Sequence, residues 1–184
     1  MKFNLILNSA LYYLLGYSGA LAGSSRCGPE ITSCNFHKRL LENYIAVWGG
    51  NLSLIDTVFH PDVVLFADSF PSASGKGSSA THIKNRDEFA AFVKRSRTGW
   101  KEYYFEPIRT VAADHSIAVR WIMHGVLGSN FTLFPTPLKA GAAVTYNGTD
   151  FLVQDECTGQ IREAYIAGDS ISYFHAMGLD TVTV

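Results

Sequence analysis

The stretch IREAYIAGDS, Ile161 to Ser170, reads as a strand near the end of a small domain, yet it carries Glu163, Tyr165 and Asp169 among small and apolar residues. Alternation along a strand puts Ile161, Glu163, Tyr165, Ala167 and Asp169 on one side. A core strand with two carboxylates and a phenol on one face either has a wet face or lines a pocket in which an acid is useful.

Upstream of it lie three longer strand-like runs, KEYYFEPIRTVAA (101–113), SIAVRWIMHGVLG (116–128) and AAVTYNGTDFLVQ (142–154). Asp114-His115 turns the first into the second, and Glu156 to Gln160 turns the third into the closing strand. Before them come helical patterns. NFHKRLLENYIAVW (35–48) spaces Phe36, Leu40, Leu41, Tyr44, Ile45 and Trp48 along one helix face and stops at Gly49-Gly50. NLSLIDTVFHPD (51–62) reads as a short helix capped by Asn51 and ended by Pro61. VVLFAD (63–68) is a strand, 69–84 a long polar loop, and NRDEFAAFVKRSRTG (85–99) a third helix with Asn85 and Glu88 as a capping box. Helices followed by antiparallel strands predict an α+β domain, a curved antiparallel sheet wrapped as a cone around three N-terminal helices and enclosing a pocket. SISYFHAMGL closes it as a short helical cap or strand end.

The 184 residues suffice for one domain with a core, and 47% apolar against 17% charged residues is a globular composition. A formal charge of −1 points to neither nucleic acid nor an acidic membrane surface as a partner. Residues 1–22, with Lys2, an apolar run broken by Asn8, Ser9, Gly16 and Ser18, and Ala20-Leu21-Ala22, read as a cleaved secretory signal rather than a membrane anchor. The expected division is therefore a signal at 1–22, a loop at 23–34, the domain at 35–180 and a tail at 181–184. Sequons at Asn51, Asn130 and Asn147 agree with secretion into, or residence in, the secretory lumen. Of three cysteines, Cys27 and Cys34 could staple the N-terminus and leave Cys157 free; a bridge from either to Cys157 is equally permitted.

Several chemistries lack their residues. SGKGSS lacks the Walker spacing, no HExxH or clustered carboxylates suggest a metal, and no GxSxG elbow is present. Neither a metal nor a cofactor is expected.

SIAVRWIMHGVLGS and FLVQDECTGQIREAYIAGDSISYFHAMGL together resemble the SnoaL-like polyketide cyclases of the nuclear-transport-factor-2-like superfamily. The likeness lies in the strand ending at Gly125, the turn at Gly159, Ile161-Arg-Glu163-Ala-Tyr165 in place of an Ile-x-Glu-x-Trp signature, Asp169 four residues later and a closing Met-Gly-Leu; FHPDVVLFAD matches the passage from second helix to first strand. It covers roughly residues 35–180. The resemblance implies a cone-shaped barrel, often dimeric through the outer sheet face, and cofactor-free acid–base chemistry by a pocket Asp on a polyphenolic substrate. Asp169 matches that Asp by position, and Asp150 lies near a second polar site. Tyr165 in place of Trp, the long 70–82 loop and the signal depart from the bacterial pattern, and with the sequons suggest a eukaryotic, for example fungal, homologue.

An Asp in an aromatic cavity loses hydration, its pKa rises and it exchanges protons near neutral pH. Asp169 is the expected base, with Tyr165, His124 or Arg120 as donors to an enolate; the bland alternative is a solvated strand end at Asp169. Asp150, which follows the Asn147 sequon, is a further acid–base candidate or a plain strand residue. Arg120 and His124 share one face of their strand and Val119, Trp121 and Met123 the other; either face could line the cavity. Arg120, Tyr44, Trp48, Trp121 and Asp68 are candidate substrate contacts; core packing accounts for Tyr44, Trp48 and Trp121 as well, and pairing with Glu163 for Arg120. The function expected is a cyclase, isomerase or dehydratase on a hydrophobic carbonyl-rich small molecule; the alternative is a carrier using the same cavity without turnover.

Overall fold

The computed structural model describes residues 29–71, 78–133 and 135–181. The expected signal at 1–22, residues 23–28 of the following loop with Cys27, and residues 182–184 of the tail lie outside the described residues.

Helix α1 spans Cys34–Trp48. Ser33 starts it by accepting a hydrogen bond from the Phe36 N–H at 3.2 Å, and His37, Leu40, Leu41, Tyr44, Val47 and Trp48 form its buried stripe. Helix α2 is one turn only, Ile55–Val58. Strand β1, Phe59–Pro71, begins directly after it and runs through Pro61, so that proline does not end a helix as the sequence suggests. It sits where the pairing with the neighbouring strand is irregular, between Phe59 and Val64, so its missing N–H costs no ladder bond. Part of the expected loop is a strand: β2, Ser78–Ile83, pairs antiparallel with β1. Helix α3, Arg86–Ser96, is capped by Asn85, which accepts from the Glu88 N–H at 2.9 Å.

Strands β3 (Trp100–Ala113), β4 (Ser116–Leu127), β5 (Ala143–Gln154) and β6 (Ile161–Gly168) complete an open six-stranded sheet in the order β2-β1-β6-β5-β4-β3. The sheet is mixed rather than purely antiparallel, because β1 and β6 run parallel. Helix α4, Ser170–Ala176, ends the domain. The helices and the inner sheet face share one core, in which Tyr44, Phe59, Phe89, Leu65, Ile117, Met123 and Leu152 are fully buried. The α+β class, a curved sheet around helices, stands as expected.

The cysteine pairing differs from the N-terminal staple. Cys34 carries a free, exposed thiol, while Cys157 is disulfide-bonded. Cys34 opens α1, where the helix holds its backbone and turns the side chain to solvent.

Candidate active site

A cavity of about 360 Å³ opens between the inner sheet face and helices α1, α3 and α4. That volume lies toward the small end of those that hold organic ligands. Its wall is aromatic: Trp48 from α1, Phe92 from α3, Phe105 from β3, Trp121 from β4, Tyr146 from β5 and Tyr173 from α4. Exposed Asp68 and Arg95 mark its mouth, the Arg95 guanidinium resting 5.5 Å over the Phe92 ring.

One carboxyl group belongs to the inner wall. On β5 the inward side chains alternate as Tyr146, Gly148, Asp150 and Leu152, and Asp150 is only 3% exposed. The Tyr44 hydroxyl, reaching across from α1, donates to Asp150 Oδ2 at 2.7 Å. Oδ1 has no hydrogen-bond partner and is shut off from bulk water. Burial pushes the Asp150 carboxyl up from 3.8 to about 6, while the Tyr44 hydroxyl and the Trp121 indole pull it down. The Trp121 N–H lies near enough to the carboxyl to act on it electrostatically, yet it makes no hydrogen bond of regular geometry. The indole lies over Gly148, where any Cβ would overlap its six-membered ring, and meets Phe105 and Tyr146 edge-on at 4.9 and 5.4 Å. Glycine at 148 therefore gives Trp121 its seat beside the carboxyl.

Two phenols stand near this carboxyl, Tyr103 on β3 and Tyr146 on β5. Burial pushes both hydroxyls above their ordinary range, and each raises or lowers the other through their mutual approach. They are un-ionised donors at any physiological pH. Arg97 fixes Tyr103 from behind. Its Nη1 donates to the Tyr103 carbonyl at 2.7 Å and to the Trp48 carbonyl at 2.9 Å, tying β3 to the end of α1. Burial lowers the Arg97 pKa, partly offset by Tyr103. Tyr103, Tyr146, Tyr173 and Arg97 are absent from the sequence-based set. Tyr146 was discoverable, since it lies two steps of alternation from Asp150.

Of the residues expected at the site, Asp150, Trp48, Trp121 and Asp68 line the cavity and Tyr44 stands directly behind Asp150. Four do not reach it. Asp169 is exposed and caps α4: its Oδ1 accepts from the Ser172 N–H at 2.9 Å and its Oδ2 from the Ser172 hydroxyl at 2.7 Å, and these bonds lower its pKa. It is thus the opposite of a desolvated acid. Tyr165 lies on the outer sheet face, 41% exposed, donating to Glu163 Oε2 at 2.7 Å. His124 is on the same outer face, with Nε2 2.9 Å from Glu106 Oε2 and its ring stacked on Tyr104. Arg120 donates to Thr149 Oγ1 at 3.2 Å, also outside. For Tyr165, His124 and Arg120 the reason is common: the helices cover the face that carries Val119, Trp121, Met123, Ala164 and Ile166, so the alternate residues face outward; Asp169 lies past the end of β6, held at the start of α4. Among the described residues no group of three or more His, Cys, Asp or Glu could hold a metal ion, and no helix is long and apolar enough to cross a membrane.

An open sheet wrapped around helices over an aromatic cavity is the ketosteroid-isomerase-like arrangement. A protein of that fold from Catenulispora acidiphila, solved with trimethylamine, is 13% identical and covers 76% of this chain and 92% of its own, with a TM-score of 0.57. A candidate SnoaL-like polyketide cyclase from Shewanella putrefaciens is 15% identical over 77% of this chain and 95% of its own, at TM-score 0.61. An LEH-like epoxide hydrolase from M. tuberculosis is 13% identical over 76% and 82%, at TM-score 0.55. At such identities the likeness is one of fold. No curated protein matches at the level of sequence. Within this class the chain belongs to the SnoaL-like domain family, whose sequence pattern matches residues 39–164.

Proposed function

We propose that this chain is a cofactor-independent acid–base enzyme acting on a hydrophobic, carbonyl-bearing small molecule, with Asp150 as the catalytic residue. The observation that carries this is a buried carboxyl in the wall of an aromatic cavity, pushed up to about 6 by burial. Ionised Asp150 takes a proton from a carbon next to a carbonyl. The electron pair of that C–H bond moves onto the carbonyl oxygen, where the Tyr103 and Tyr146 hydroxyls are placed to donate. The protonated Asp150 then returns its proton to another carbon, giving isomerisation, or to a departing hydroxyl, giving dehydration. In a substrate with a second carbonyl, the enolate carbon attacks that carbonyl carbon, its π electrons move to its oxygen, and protonated Asp150 returns the proton to the resulting alkoxide as the ring closes. The neighbours named as polyketide cyclase and epoxide hydrolase support this reading by showing that the fold hosts small-molecule chemistry.

The test is solvent-deuterium exchange at the carbon next to the carbonyl of aromatic ketones such as β-tetralone, followed by NMR. The expected result is exchange that Asp150→Asn slows by roughly 10²-fold or more, with probe binding retained. Equal exchange by wild type and variant removes Asp150 from the chemistry. Binding without exchange by the wild type favours a carrier.

Two further features belong to this reading. The disulfide at Cys157 supports an oxidising, secretory location. The outer sheet face exposes Phe66, Tyr104, Phe151 and Tyr165, which supports a homodimer through that face.

A further inference from the structure

We propose that Tyr44 is the positioning residue of this centre: by holding Asp150 Oδ2 it fixes the plane of the carboxyl group in the cavity wall. The inference rests on the reading of Asp150 given above. Tyr44 is fully buried and lies behind the cavity wall rather than in it, so it is not placed to touch a ligand. Its ring is wedged between Trp48, edge-on at 6.4 Å, and Phe59 at 5.9 Å, which leaves the hydroxyl no freedom to swing. The one proton of that hydroxyl is committed to Oδ2 at 2.7 Å. A carboxyl with one oxygen tied to a rigid ring has lost the rotation that would exchange its two oxygens.

The other oxygen is left over. Oδ1 has no partner, although an unmade hydrogen bond to a buried carboxylate is costly. Among the described residues, the groups that face the carboxyl from the elements around it are Tyr44 from α1, Tyr103 from β3, Trp121 from β4 and Tyr146 from β5, none of them a cation. Only a donor hydrogen bond therefore opposes burial in setting where Asp150 titrates, and Tyr44 supplies the one of regular geometry. Helix α1 thus acts on the reaction through a residue that never meets the substrate.

The experiment is a pH titration of the Asp carboxyl carbons by ¹³C NMR in the intact chain, with Asp150→Asn to assign the signal. In the wild type the midpoint is expected near 6. Tyr44→Phe keeps the ring and removes the donor, and is expected to raise the midpoint by roughly one to two pH units, with the deuterium-exchange profile moving the same way. Tyr173→Phe removes a buried cavity phenol that does not bond Asp150, and is expected to titrate with the wild type. If Tyr44→Phe does not fold, 3-fluorotyrosine at position 44, a stronger donor, is expected to lower the midpoint. A wild-type midpoint near 4 defeats the acid–base reading itself. A wild-type midpoint near 6 that Tyr44→Phe leaves in place, or that Tyr173→Phe moves equally, overturns the role of Tyr44 alone.

Discussion

At the scale of single residues, two aspartates nineteen positions apart in the chain show how little side-chain identity says about chemistry. Asp150 is buried and pushed up to about 6; Asp169 is exposed and held below its ordinary range by a backbone N–H and a hydroxyl of Ser172. The sign of the Asp150 effect is testable. Its folded-state pKa exceeds the unfolded one, so the folded protein binds this proton more tightly. The associated stability is complete below about pH 4 and is lost as pH rises through about 6. A rise from 3.8 to about 6, at about 1.4 kcal/mol per pH unit, comes to about 3 kcal/mol. Asp150→Asn, which still accepts from Tyr44, is therefore expected to be inactive yet more stable than wild type at pH 7.5, by up to about this amount, and much closer to it at pH 4. Urea unfolding at the two pH values measures this. Activity of the unmodified protein is expected to rise with pH through about 6 as Asp150 ionises.

At the scale of elements, Asp169 keeps a structural task. It caps α4, and α4 carries Tyr173 against Tyr146 at a ring separation of 4.5 Å in the cavity wall. Asn caps a helix as well as Asp does, and Ala does not. Asp169→Asn is thus expected to retain near-full activity, whereas Asp169→Ala loosens α4, with faster amide exchange over residues 170–176 and weaker ligand binding. Full loss of activity in Asp169→Asn would instead return that residue to the chemistry. On β5 the decisive position is Gly148. A methyl group there collides with the Trp121 ring, so Gly148→Ala is expected to cost about 1–3 kcal/mol and to shift tryptophan fluorescence. An unchanged urea midpoint and spectrum would show that the indole has room to move.

The elements themselves were largely legible. Helical spacing located α1 and α3, with Asn85 capping α3 as expected, and the strand-like runs located β3 to β6; Asn51, the expected cap of the second helix, makes no capping bond. The failures fall where pairing partners decide. Ser78–Ile83 is polar and small, a composition that reads as loop, and becomes a strand because β1 offers its edge.

At the scale of the whole molecule, the outer sheet face is the unsettled surface. Phe66 stacks on His82 and on Tyr165, and Tyr165 approaches Phe151, so an aromatic row crosses four strands in the open. If that row pairs two copies, sedimentation is expected to give twice the chain mass, and Phe66→Glu with Tyr165→Glu to halve it. A single-chain mass for the unmodified protein would remove the dimer. Asn147 belongs to the same face, since Tyr146 and Gly148 beside it point inward. A glycan there and pairing through this face would exclude one another.

What the sequence determined on its own is local: where most of the helices and strands fall, and how alternation divides the residues of β4 and β5 between two faces. Which face turns inward was decided only by tertiary structure. A period of two divides a strand into two sets of residues but is symmetric between them. The symmetry breaks when the helices cover one side of the sheet, placing Trp121, Tyr146 and Asp150 in the dark and Arg120, His124 and Tyr165 in the light.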